Sequence, residues 1–130
     1  VNYPDLPPLT EPEKHQRPDV WHPIVRTHPE TDRKCLFIGR WAVEIENMKA
    51  DEGEELIDKL TSHISKPEFT YIHEWQPGDV VLWDNRCTQH CAIPYDDSLE
   101  DRHMLRTTLE GDVPFYLTTD GHRIESSLVQ

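Results

Sequence analysis

Long apolar runs are missing from this sequence. No stretch of about 18 apolar residues occurs, so no transmembrane helix is expected, and no membrane partner is expected either. Basic charge is scarce: 13 Lys and Arg face 25 Asp and Glu, a net charge of -12. That balance argues against a phosphate-facing surface for nucleic acid, while leaving room for local basic pockets that hold small anions. Cysteine is limited to Cys35, Cys87 and Cys91. An odd count without framework spacing excludes a disulfide scaffold and favours a reducing, cytoplasmic setting. Cys87 and Cys91 are four apart, but no second pair exists to complete a structural zinc site. The N-terminus has no basic-then-apolar signal pattern, and Val1 is not a natural start, so a processed or truncated chain is expected.

Apolar residues are also few, at 35% with a mean hydropathy of -0.74. Glycine occurs five times and proline eleven. Two readings follow: a small loop-rich domain, or a fragment whose core is completed by another chain or a missing half.

Residues 1–20 are rich in proline and charge and read as an extended arm or linker, since Pro4, Pro7, Pro8, Pro12 and Pro18 disfavour a regular helix or central strand. Trp21 to Arg26 and the apolar run Lys34 to Gly39 read as two strands. The turn chemistry of His28 to Arg33 between them makes a hairpin. Leu56, Ile57, Leu60 and Ile64 recur at helical spacing. Acids come early (Asp51, Glu52, Glu54, Glu55) and Lys59 and His63 late, in the order that suits a helix dipole. The spacing predicts a helix from about Ala50 to Ile64, stopped by Lys66-Pro67. Phe69 to Trp75, Val80 to Trp83 and Arg102 to Leu109 read as further strands, with Gln76-Pro77-Gly78-Asp79 as a turn. The polar tail, 116–130, shows no clear element. The expected class is mainly β, with one or two helices.

Chemistry concentrates after the buried-looking strand Val80 to Trp83. There the chain runs Trp83-Asp84-Asn85-Arg86-Cys87-Thr88-Gln89-His90, and Arg102 and Arg106 follow. A neutral imidazole at His90 can bind a divalent metal. A guanidinium at Arg102 can grip a carboxylate with two parallel hydrogen bonds, which lysine cannot do. On a strand, residues 102 and 106 share a face, so both can enter one cavity and meet two different anions. The same residues read equally as turn, packing and salt-bridge groups, so the residues alone support only an anion-handling, metal-capable site.

The stretch WDNRCTQHCA resembles the WDNR-x-TQH-x-A signature of the taurine/2,4-D dioxygenase family, which uses iron(II) and 2-oxoglutarate. HPIVRTHPETDRK is similar to that family's HP-V-RTHPETGRK segment, and the order helix, PEF, WQPGDVV matches too. The resemblance spans about Trp21 to Pro114. It implies the C-terminal half of a jelly-roll (double-stranded β-helix) domain over 21–115, incomplete as a barrel. It also implies His90 as the distal iron ligand, Arg102 as the anchor of 2-oxoglutarate, and Arg106 as the group facing a small anionic substrate. The implied reaction couples decarboxylation of 2-oxoglutarate to succinate with hydroxylation of a C–H bond.

Two departures stand out. Asp32 replaces the family's usual glycine, and the His90–Arg102 interval is one residue longer than in the best-known members, an insertion placed at Pro94 to Asp101. The family's early His-x-Asp/Glu pair, which supplies the other two ligands, has no counterpart here. The triplet His28-Pro29-Glu30 belongs to the hairpin turn, and His73-Glu74 are strand neighbours facing opposite ways. His15, His22, His63, His103 and His122 read as solvent or packing groups. The expectation is therefore a truncated or split enzyme that binds iron poorly alone, its N-terminal half or another chain supplying what is missing. The other reading is a non-catalytic remnant acting as a binding or oligomerisation module. Open strand edges predict self-association into homo-oligomers or strand exchange between copies.

Overall fold

The computed structural model describes residues 10–16, 18–96, 98–99 and 102–129, without the side chains of residues 14 and 15. Among these, the elements are α1 (Glu11–Gln16), β1 (Val20–Trp21), β2 (Val25–Thr27), β3 (Lys34–Leu36), α2 (Ala50–Ile64), a 3-10 turn (Pro67–Phe69), β4 (Phe115–Leu117), β5 (Arg123–Glu125) and β6 (Ser127–Leu128). The strands form three two-stranded antiparallel sheets, β1–β6, β2–β3 and β4–β5. The fold is thus β-rich with few helices, as the sequence predicts.

The first hairpin forms where expected, with Val25 opposite Leu36, Arg26 opposite Cys35 and Thr27 opposite Lys34. Its turn is closed by His28 N–H to Arg33 C=O (2.9 Å) and Asp32 N–H to His28 C=O (2.9 Å). Asp32 has φ 56°, the left-handed conformation that a glycine would take at least cost. The turn is therefore kept despite the substitution, because a short acidic side chain tolerates that region better than most.

Helix α2 coincides with the predicted span, and its apolar stripe Leu56, Ile57, Leu60 and Ile64 is the half-buried face. Gly53 is buried in its first turns, against Ile45.

Three expectations are corrected. The proline-rich arm contains a helix, α1. Thr10 precedes it, and Glu13 Oε2 reaches back to accept from the Thr10 N–H (2.8 Å) and hydroxyl (2.6 Å), the reciprocal half of a capping box. Pro12 falls in the first turn, where no backbone N–H is needed.

The C-terminal stretch is structured as well. Phe115 pairs with Glu125, Tyr116 with Ile124 and Leu117 with Arg123, around a turn containing Gly121 at φ 84°. Then β6 returns to pair with β1, Trp21 opposite Ser127.

The predicted strands over 69–75, 80–83 and 102–109 carry no ladder among the described residues, and Phe69 ends the 3-10 turn. Val80 is 94% exposed and Leu82 93%, where a buried strand was expected. A strand acquires its ladder only from a neighbour, and none lies beside these segments among the described residues. The insertion expected between Pro94 and Asp101 falls where residues 97, 100 and 101 lie outside the described set.

The packed centre sits around β2. Its buried apolar members are Ile38 and Phe115, and its buried polar members are Arg26, Thr27 and His28. Thr27 is a node: its hydroxyl accepts from Lys34 Nζ (2.7 Å) and from the Leu117 N–H (2.9 Å), which docks β4 onto the first hairpin. Arg26 Nη2 reaches Asp112 Oδ1 at 2.7 Å, and its guanidinium lies 5.0 Å from the Phe37 ring centre. The chain exposes 11798 Å². A self-contained folded monomer of its mass would expose roughly 7100 Å². Large apolar side chains left exposed include Tyr71, Leu105 and Leu109.

Candidate functional site

The loop from Trp83 to His90 is built on Asp84. Its carbonyl accepts from Cys87 N–H (3.2 Å), Thr88 N–H (3.0 Å) and the Thr88 hydroxyl (2.6 Å), which winds residues 84–88 into a single tight turn. Its carboxylate accepts from the Arg86 N–H (2.8 Å) and from the Arg86 guanidinium through Nε (2.9 Å) and Nη2 (2.7 Å). The Arg86 hydrogen bonds, and a further one from His28, hold the Asp84 carboxyl well below the usual carboxylate range. The same contacts, with Glu30, raise Arg86 further above its ordinary value.

This loop is fastened to the first hairpin. His28 Nε2 lies 3.1 Å from Asp84 Oδ2, and Arg86 Nη1 donates to Glu30 Oε1 at 2.8 Å. His28 Nδ1 accepts from the Glu30 N–H (3.3 Å), which assigns the ring proton to Nε2, where it is donated to Asp84. The Cys35 thiol of β3 donates to the Arg86 carbonyl at 3.4 Å. Burial, followed by the neighbouring Cys87, raises the Cys35 thiol above its ordinary value.

His28, Asp84 and Cys87 bring one potential ligand atom each within 4.8 Å of one another. The trio does not fit a cation. Arg86 already holds both oxygens of Asp84, and a metal would have to expel that guanidinium and take the His28 proton. It is a hydrogen-bonded brace. The sequence reading of Asp84 and Arg86 as turn groups agrees with it, and so does the assignment of His28-Pro29-Glu30 to the turn. The bonds from Asp84 and Arg86 back to residues 28 and 30 were not foreseen. Their only signal was the crowding of charged and polar residues into two motifs.

His90 is exposed, its ring 4.7 Å from that of Trp83, whose Nε1 donates to Asn85 Oδ1 at 2.9 Å. Arg102 is exposed with its guanidinium 5.7 Å from the Tyr95 ring centre, and Arg106 is exposed. No hydrogen bond, ion pair or ring contact among the described residues joins His90 to either arginine. Among the described residues, His90 belongs to no group of three potential metal ligands. His73 is engaged elsewhere, 3.0 Å from Asp79 across the turn at Gly78. An open hollow of about 410 Å³ lies under Pro23, Ile24, Val25, Lys34, Tyr116 and Ile124, away from all three predicted site residues.

Residues 3–108 match the family described as Taurine catabolism dioxygenase TauD, TfdA family. The chain belongs to this family. Among relatives, it is 43% identical over 98 residues to an (S)-phenoxypropionate/alpha-ketoglutarate-dioxygenase of Sphingobium herbicidovorans, covering 75% of this chain and 34% of that protein. It is 40% identical over 104 residues to an alpha-ketoglutarate-dependent 2,4-dichlorophenoxyacetate dioxygenase of Cupriavidus pinatubonensis, covering 80% and 36%. It is 33% identical over 122 residues to an alpha-ketoglutarate-dependent sulfate ester dioxygenase of Pseudomonas putida, covering 87% and 40%. The chain thus spans little more than a third of the length of these family members. No helix among the described residues is long and apolar enough to cross a membrane.

Proposed function

We propose that this chain is the C-terminal part of an iron(II)/2-oxoglutarate-dependent dioxygenase that hydroxylates a small anionic substrate. The carrying observation is the ordered set WDNR-x-TQH-x-A, Arg102 and Arg106, the first two lying with Arg106 inside the family match. In this reading His90 supplies one imidazole to iron. Arg102 holds the far carboxylate of 2-oxoglutarate, and Arg106 meets the anionic end of the substrate. The metal and 2-oxoglutarate supply the oxidative chemistry, and the protein supplies ligands, charge and placement.

One imidazole does not hold iron in an open site, where three protein ligands are the rule. The two others, and the strands that would pair with 69–75, 80–83 and 102–109 to close a jelly roll, are assigned to a polypeptide corresponding to the part of the relatives outside the match. The exposed Tyr71, Val80, Leu82, Leu105 and Leu109 are the surface it would cover. Phenoxypropionate-like acids and sulfate esters are the substrates to try, since those words name the relatives.

The experiment is succinate release from 2-oxoglutarate by the intact protein with iron(II) and each candidate acid, beside His90→Ala and Arg102→Ala. Turnover lost in both variants supports the reading. Turnover retained in His90→Ala refutes it. No turnover, with stable self-association of this chain in sedimentation, would favour the alternative of a non-catalytic oligomerisation module.

A further inference from the structure

We infer that Glu30, His28 and Arg86, acting through Asp84, are positioning residues that set where the His90 ring stands. The inference deepens the proposed function, because its consequence for metal binding rests on His90 being the ligand.

The single turn at 84–88 is the last regular structure before His90. Thr88 closes it with both its N–H and its hydroxyl on the Asp84 carbonyl. Only Gln89 separates that closed turn from His90. The orientation of the turn therefore dictates the direction in which the chain leaves toward the imidazole.

The turn has little else to hold it. Its residues are half-buried or exposed, and no strand ladder flanks it among the described residues. Its anchors are directional contacts to the first hairpin: His28 on Asp84, Glu30 on Arg86, and Cys35 on the Arg86 carbonyl. The hairpin end of this brace is rigid by comparison. His28 is 7% exposed and sits beside Thr27, which is fully buried. Arg86 is the hinge pin, since one planar guanidinium bonds Asp84 and Glu30 at once. A lysine ammonium keeps the charge but cannot span both carboxylates in that geometry. A metal ligand must be held to within about 0.5 Å of its productive place, so a loop free to swivel presents the imidazole poorly.

The test uses Glu30→Gln and Arg86→Lys in the intact protein, with the exposed Glu68→Gln as control. Three quantities are read: amide exchange at Cys87 and Thr88, the His90 ring NMR shift set by Trp83, and the affinity for cobalt(II) followed at the His90 signal. Both brace variants should speed exchange at Thr88 and weaken cobalt(II) binding, each by about tenfold. They should also move the His90 shift, with the control unchanged. Unaltered exchange and an unaltered His90 shift in both brace variants would overturn the inference. If cobalt(II) fails to perturb His90 even in the unsubstituted protein, the ligand assignment falls. The exchange and shift measurements still decide whether the brace places the ring.

Discussion

His28 Nε2 and Asp84 Oδ2 stand 3.1 Å apart although 56 residues separate them in the chain. The contact ties the tip of a strand hairpin to the loop that precedes His90. It draws Arg86 and Glu30 into one network of two acids, one histidine and one arginine.

Acid should loosen this network, and only in a defined window. The Asp84 carboxyl is held below its ordinary range by Arg86 and His28, so the unfolded chain binds its proton more readily than the folded one. Its contribution is fully present above the unfolded value, about 3.9, and is lost as pH falls through the lower folded value. Urea midpoints measured from pH 5 down to about 2.5 should fall more steeply for the unsubstituted protein than for Asp84→Asn. Parallel slopes would show that Asp84 carries none of the acid dependence.

Removing Asp112 should cost more than its partly open position suggests. Arg26 is 3% exposed, and Asp112 is the acid paired with it at 2.7 Å. Asp112→Ala strands a buried cation, for a loss of about 2–3 kcal/mol in chemical denaturation. Arg26→Met should relieve most of the penalty in the double variant, because no charge is then left unpaired. Additive losses in that cycle would mean that the pair is not coupled.

Two backbone positions should respond in opposite directions. A Cβ at Gly53 would stand 3.6 Å from the Ile45 backbone nitrogen, an ordinary contact, so Gly53→Ala should stabilise α2 by about 0.5–1 kcal/mol. Asp32→Val places a β-branched residue at φ 56° and should destabilise by about 1–2 kcal/mol. Asp32→Gly should be tolerated. Thermal melts of the three variants check both statements.

The thiols should separate by reactivity. Cys35 is half-buried with its ionisation disfavoured by burial, whereas Cys87 and Cys91 are exposed. Iodoacetamide at neutral pH, followed by peptide mass mapping, should modify Cys87 and Cys91 well before Cys35. Equal rates would contradict the packing of β3 against the Arg86 carbonyl.

What was readable in the sequence was local. The stripe of Leu56, Ile57, Leu60 and Ile64 defined α2, and turn chemistry around Asp32 defined the first hairpin, because in both cases the deciding residues are close in the chain. Helix α1 was also local, but its signal, Thr10 three residues before Glu13, is offset by the prolines around it. The C-terminal strands were not legible. Their sequences mix polarity, and β6 gains its ladder from β1, at the far end of the chain. Val80 to Trp83 has the composition of a strand and, among the described residues, no neighbour to pair with. For the candidate site, motif order singled out His90, Arg102 and Arg106. The brace between residues 28–30 and 84–86 needed coordinates, since nothing in sequence spacing tells which acid meets which base.

The pairing of Val20 with Leu128 has a practical corollary for protein engineering. Polypeptide entering at residue 19 and polypeptide leaving after residue 128 pass side by side. A purification tag fused behind β6 would therefore crowd any segment arriving ahead of β1.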